Sequence, residues 1–245
     1  MTKQTEGPEK PNKIVFVFLV ILILSLVLNF FWVVREQGRN LVVRVPDGDS
    51  IDLADGRRVR LLGVDAPEIG RCKAGEAKAR LTGLVMDKRV RLKDTVRDSY
   101  GRILANVIIE SWPETFGHIQ EFFKRAFGLP HKTPLSKNMV NRAMVEEGLA
   151  KYSHAGTEYD GVLSDAGRVA QTGKIGIWSE LCIQPIPTDP NCPIKGNIRN
   201  GKKTYHLPWC PNYDQTVINT AFGDQWFCSD FEAENAGFLQ AEGCQ

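Results

Sequence analysis

The sequence predicts an α+β protein, a small β-barrel with helices packed on it, preceded by one transmembrane helix and followed by a small disulfide-stabilised domain. Three observations carry this expectation. Residues 14–34 run 21 positions without a charged side chain. Residues 41–110 fall into short apolar or alternating stretches broken by turn signals such as Asp55-Gly56. Beyond a Pro-rich stretch at 183–190, residues 191–245 hold four of the six cysteines.

At about 1.5 Å per residue the 14–34 run extends roughly 31 Å, the thickness of a bilayer core. Trp32 stands at one end, where amphipathic rings favour the headgroup level. The run exceeds the about 7–15 residues of a signal-peptide core, and Asn29-Phe30-Phe31-Trp32 offers no small-residue cleavage site. An uncleaved single-pass anchor behind a polar tail, residues 1–13, is expected. Lys3, Lys10 and Lys13 before the span balance Arg35, Arg39 and Arg44 after it, so charge does not orient it. All six cysteines lie beyond the span, an even number that suits an oxidising exterior; reduced thiols or a metal site are the alternatives.

In the middle of the chain, strands are expected at 41–44, 50–53 and 58–64, the last two joined by the Asp55-Gly56 hairpin turn. Ala66-Pro67 ends the third strand. Ala77, Leu81, Leu84 and Val85 are spaced for a helix over 75–87. Two more strands follow at 88–94 and 102–110, then helices at 139–149 and 158–173, each with a glycine near its end.

The whole chain carries a net charge of only +2, which excludes a chain built throughout to coat polyanions. The sum hides opposed parts. Residues 57–102 carry 13 Lys and Arg against 6 Asp and Glu, whereas residues 41–56 carry four Asp and one Arg. A basic stretch beside a carboxylate cluster is what a metal-assisted site acting on a polyanion requires.

Five segments carry a resemblance in order: PDGDSIDL (46–53), VRLLGVDAPE (59–68), RDSYGR (97–102), NMVNRAMVEEGLAKY (138–152) and KIGIWSE (174–180). Together they resemble the staphylococcal nuclease, or thermonuclease, family over residues 41–182. The resemblance implies an OB-type five-stranded barrel with three helices and Ca2+-dependent hydrolysis of phosphodiester bonds in DNA and RNA. It implies Asp49 and Asp65 as Ca2+ ligands with the backbone carbonyl of Ala66, and Asp47 as a carboxylate close behind them. Calcium takes several hard oxygen ligands, which these residues supply. Arg60 and Arg102 match positions that hold the phosphate, a task suited to a permanently charged bidentate guanidinium. Glu68 matches the position that orients or deprotonates the attacking water. Tyr100 matches an aromatic that helps hold the nucleotide; read as a residue alone, it serves equally as a barrel-edge core tyrosine.

The chain departs from the family pattern at Ser99, at His154 and by an insertion at 111–136. Within the insertion Phe116, Ile119, Phe123 and Phe127 fall on one helical face. That face packs on its own barrel, or lies on the membrane, or flanks the substrate groove.

After the 183–190 linker, CPIKGNI (192–198), TYHLPWCPNYD (204–214) and WFCSDFEAENAGF (226–238) resemble the sunset domain, a small module appended to surface nucleases. The resemblance pairs Cys192 with Cys228 and leaves Cys210 with Cys244; four cysteines allow three pairings. Cys72 and Cys182 are free or bridged. The expectation is therefore a monomeric membrane-anchored nuclease, its nuclease and C-terminal parts outside the cytoplasm and the latter's ligand unknown. The competing reading is a non-catalytic nucleic-acid-binding or surface scaffold module of the same fold.

Overall fold

A computed structural model describes residues 13–110, 138–199 and 201–244, with the side chains of the first helix described over 17–31. The expected insertion helix at 111–136 lies outside the described residues. Helix α1 spans Lys13–Gly38, and its described side chains, 17–31, are all exposed. Among the described residues, no helix is long and apolar enough to cross a membrane.

Strands β1 (Val42–Arg44), β2 (Ser50–Leu53), β3 (Arg58–Leu61), β5 (Val90–Arg97) and β6 (Ile103–Ile109) form one sheet in the order β1-β2-β3-β6-β5. The sheet closes on itself. Leu41 bridges Arg89, Val42 N donates to the Lys88 carbonyl at 3.0 Å, and Val90 N donates to the Asn40 carbonyl at 3.0 Å. Closure removes the exposed edges that an open sheet would leave. The β2–β3 hairpin turns at Asp55-Gly56, where Gly56 takes the positive φ of 87° that such a turn needs.

Alternation then decides what fills the barrel. Ile51, Leu53, Val59, Leu61, Val90, Ala105 and Val107 point inward and are buried. Helix α2 (Ala74–Val85) adds Ala77, Leu81 and Val85, spaced four apart on one face. Helix α3 (Val140–Glu146) adds Val140, Met144 and Val145. Helix α4 (Asp160–Thr172) packs on α3 with Leu163 and Ala166 buried. A two-residue ribbon, β4 (Val64–Asp65) with β7 (Lys151–Tyr152), pairs Asp65 with Lys151.

A fully buried asparagine joins helix to barrel. Asn141 Oδ1 accepts from Val107 N at 2.8 Å, and its Nδ2 donates to the carbonyls of Leu62 at 2.9 Å and Ala105 at 3.3 Å. Asn141→Ala orphans these buried backbone groups and is expected to cost about 3 kcal/mol in urea unfolding. A change below about 0.5 kcal/mol would contradict this reading of the core.

The C-terminal region has its own sheet: β9 (Ile194–Arg199), β10 (Lys202–His206), β12 (Gln225–Phe227) and β13 (Leu239–Gln240), ordered β12-β9-β10-β13. Its core is Ile194, Tyr205, Phe227, Ala233 of helix α5 (Asp230–Asn235) and Phe238, with Phe227 and Phe238 edge-to-face at 5.1 Å. Disulfides join Cys192 to Cys228 and Cys210 to Cys244. A third joins Cys72 to Cys182 across 110 positions. Three disulfides point to an oxidising, extracytoplasmic compartment.

The C-terminal region is docked on the barrel side. Strand β8 (Ile183–Gln184) pairs with β11 (Ile218–Asn219). Thr220 donates twice to the Cys182 carbonyl, from N at 2.9 Å and from Oγ1 at 3.1 Å. Ile177, Cys182 and Ala221 form a small shared core with Cys72, Trp178 and Phe222 against it.

Candidate active site

The site is set by where β2, β3 and β4 begin and end. In the β2–β3 ladder Ser50 faces Arg60, and Leu61 N donates to the Asp49 carbonyl at 2.8 Å. That register brings the Asp49 carboxylate under the Arg60 guanidinium. Arg60 Nη1 donates to Asp49 Oδ1 at 2.7 Å, and Nη2 reaches Asp49 Oδ2 at 2.7 Å. The same Nη2 donates to Asp65 Oδ1, on β4, at 2.9 Å. One guanidinium thus holds two carboxylates from different strands side by side. The geometry is possible because Arg has several donors in a rigid fork, which a lysine lacks.

Asp49 is only 3% exposed and receives two more hydrogen bonds, from Ser50 Oγ at 3.1 Å and from Ala66 N at 3.1 Å. Burial pushes its carboxyl up to about 6, against the opposing pull of Arg60 and the Ala66 amide, and with a further push from Asp47. Asp47 accepts from Asp49 N at 3.1 Å and so shapes the turn entering the site. Ser50 was not singled out among the expected site residues; its only sequence signal is adjacency to Asp49. Asp65 differs in kind, since its side chain is 46% exposed. Glu68 is exposed, on the turn closed by Arg71 N donating to its carbonyl at 3.0 Å.

Arg102 stands at the start of β6. In the parallel β3–β6 ladder Arg60 pairs with Leu104, so Arg102, two positions earlier, leaves the sheet on the same face as Arg60. Its Nε is held by Asp98 Oδ2 at 2.6 Å. Asp98 also accepts from the backbone N of Tyr100 at 3.0 Å and of Arg102 at 2.8 Å, which fixes the hairpin around Gly101. Tyr100 is 84% exposed, with the Arg102 guanidinium 5.4 Å from its ring centre, so it is a surface aromatic and not part of the core. The expected residues fall into two groups: Asp47, Asp49, Arg60, Asp65 and Ala66 are linked by hydrogen bonds through Asp49 and Arg60, while Glu68, Tyr100 and Arg102 lie on exposed segments.

Among the described residues, no three His, Cys, Asp or Glu side chains group as a metal-binding cluster. The donors that are present nevertheless fit calcium in kind. Two carboxylates offset by one guanidinium leave net negative charge, and the exposed Asp65 has a second oxygen for which no hydrogen bond is formed among the described residues. Two protein carboxylates leave most of calcium's six to eight positions to carbonyl, water and substrate oxygens, as a catalytic rather than a structural site needs.

Comparison with known proteins agrees with the geometry. Residues 58–180 match the family described as Staphylococcal nuclease homologue. The chain is 32% identical to Micrococcal nuclease of Shigella flexneri over 146 residues, covering 58% of this chain and 74% of that protein. It is 30% identical to an Uncharacterized endonuclease of Haemophilus influenzae over 154 residues, 60% of this chain and 69% of that protein. Over 182 residues it is 31% identical to Probable endonuclease LCL3 of Verticillium alfalfae, 68% of this chain and 56% of that protein. The matched stretch contains Arg60, Asp65, Glu68 and Arg102 and spans half of the chain: the protein belongs to the staphylococcal nuclease homologue family.

Proposed function

We propose that the protein is a membrane-anchored, Ca2+-dependent nuclease hydrolysing phosphodiester bonds in DNA and RNA outside the cytoplasm. The observation that carries the reading is Arg60 joining the buried Asp49 to the exposed Asp65, with Arg60 and Asp65 inside the family-matched residues 58–180. Asp49, Asp65 and the Ala66 carbonyl would hold the calcium. When bound, calcium would polarise a phosphate oxygen and neutralise charge there. Arg60 and Arg102 donate to the non-bridging oxygens, on which charge grows as the phosphorus becomes five-coordinate. Arg102 leaves Asp98 to do so. Glu68 takes a proton from the attacking water and aims it at phosphorus, while the opposite P–O5′ bond breaks, Arg102 stabilises the departing oxygen, and that oxygen takes up a proton from solvent. Tyr100 supplies an exposed ring for a base or sugar. The products would be 3′-phosphate ends.

The chain is read as a polar tail (1–13), an anchor (14–34), an OB-type nuclease domain (41–182), a linker (183–190) and a sunset-like domain (191–245). The anchor rests on the 21-residue uncharged run, and the outward orientation on the three disulfides. Glu68→Gln keeps shape and removes charge. It is expected to lower kcat about 10²- to 10⁴-fold with little change in unfolding, because the side chain is exposed. A Glu68→Gln enzyme as fast as wild type would remove Glu68 from the mechanism. No cleavage by wild type across several divalent metals would favour the scaffold reading.

A further inference from the structure

Three cations meet where the C-terminal region docks. Lys151, the cross-strand partner of Asp65, leaves the ribbon on the same face and places Nζ 5.3 Å from the Phe222 ring centre. Arg71, three residues beyond Glu68, lays its guanidinium on Gly223, where any β-carbon would collide with it. Gly223 also takes a positive φ of 88°, so the position suits glycine twice over. Arg199, at the end of β9, lines the same cleft of about 130 Å³ as Lys151, together with Trp178, Phe222 and Asp224.

These cations are only partly spent: burial raises the Asp224 carboxyl and the Arg199 charge draws it back down. Many basic residues of the chain are in ion pairs, among them Arg57, Arg58, Arg80, Arg102, Arg142 and Arg168. Among the described residues Arg71, Lys151 and Arg199 have no ion pair. Arg199 Nε donates only to Asn197 Oδ1, at 3.2 Å. Asp224, the buried carboxylate beside it, commits its oxygens to Ile198 N at 2.8 Å, Asn197 Nδ2 at 3.0 Å and Asn219 N at 3.1 Å. The Trp178 indole N–H, on the same cleft, has no acceptor among the described residues.

We infer that this seam is an extension of the substrate track, in which Lys151, Arg199 and Arg71 hold phosphates of the single strand beyond the scissile bond. The inference rests on the nuclease reading. Its ligand class follows from continuity, because Lys151, which lines the cleft, is the cross-strand partner of Asp65. Its consequence is that the C-terminal region takes part in substrate binding, with Phe222 and Gly223 forming one wall. Short substrates that end inside the site would not use it.

The test uses the full chain in a neutral detergent. Lys151→Gln with Arg199→Gln is compared with wild type, and Lys88→Gln with Arg89→Gln, at the barrel end where Leu41 bridges Arg89, controls for the same loss of two charges. Equilibrium binding of a fluorescent single strand of about twelve nucleotides is measured in chelator, so that nothing is cut. The double variant should bind about tenfold or more weakly, and the slope of log K against log salt should fall in magnitude by about 1.4. The Lys88→Gln with Arg89→Gln control should match wild type. With Ca2+, KM for the same strand should rise while kcat stays level, and cleavage of a dinucleotide should not change. Restoring charge with Lys151→Arg and Arg199→Lys should restore the salt slope. Unchanged binding, equal loss on the dinucleotide, or equal loss in the control would overturn the inference. Absence of cleavage in wild type would overturn the nuclease reading, while the binding comparison would still decide the seam.

Discussion

Arg60→Ala is expected to slow cleavage about 10²- to 10³-fold and to destabilise the fold by about 3 kcal/mol. The two effects share one cause. Arg60 is the only cation in contact with Asp49 and Asp65 among the described residues, and Asp49 is 3% exposed. Removing the guanidinium leaves a buried carboxylate with a hydroxyl and one amide as its remaining donors. Such an uncompensated charge costs far more than a surface pair contributes. Arg60→Lys separates the effects. A lysine keeps the positive charge under Asp49 but cannot span both carboxylates and a phosphate oxygen as a planar fork does. The lysine variant should therefore recover much of the stability and little of the rate. Urea unfolding and initial rates on single-stranded DNA check both. A lysine variant with wild-type kcat would show that bidentate geometry is not needed.

Loss of the Cys72–Cys182 bridge is expected to cost about 2–4 kcal/mol, because it closes a loop of 110 positions in the unfolded chain. The effect should also be local. Cys72 follows the turn that bears Glu68, and Cys182 accepts both Thr220 hydrogen bonds at the docking seam. Cys72→Ser with Cys182→Ser should therefore free the 66–73 segment as well as lower the unfolding midpoint. Hydrogen exchange in that segment should rise before global unfolding. Alkylation of the non-reduced protein followed by mass spectrometry should find no reactive thiol among the six cysteines. A freely alkylated Cys72 in folded wild type would contradict the bridge.

Local signals were legible where a few neighbouring residues decide the backbone. Asp55-Gly56 marked the β2–β3 hairpin, and the four-residue spacing of Ala77, Leu81 and Val85 marked α2. Helix ends moved by one to three residues. A barrel was expected, but not which residues close it, since Leu41 meets Arg89 and the pairing depends on the path of everything between. The same holds for β8 and β11. Each is two residues long, and the Pro-rich stretch after β8 reads as a hinge although Ile183 and Gln184 themselves pair with Asn219 and Ile218. In the site, the family resemblance pointed to Asp49, Arg60 and Asp65, but not to one guanidinium binding both carboxylates. The alternation that makes Arg60 an outward residue of β3 was visible; what it faces comes from the β2 and β4 registers. Arg102 was expected at the phosphate, and the structure holds it on Asp98, four residues back. Arg71 and Lys151 carried no signal, because a cation's role at the seam depends on Phe222 and Gly223, far along the chain.

The central claim is that Asp49, Arg60, Asp65 and Glu68 form a calcium-dependent phosphodiesterase site. The most direct measurement is cleavage of an end-labelled single-stranded DNA by the full chain, with calcium and with chelator, alongside Glu68→Gln. The account predicts cleavage that calcium supports and chelator abolishes, 3′-phosphate products, and a Glu68→Gln rate lowered at least about 10²-fold. Cleavage that persists in chelator, or a Glu68→Gln enzyme equal to wild type, would contradict it.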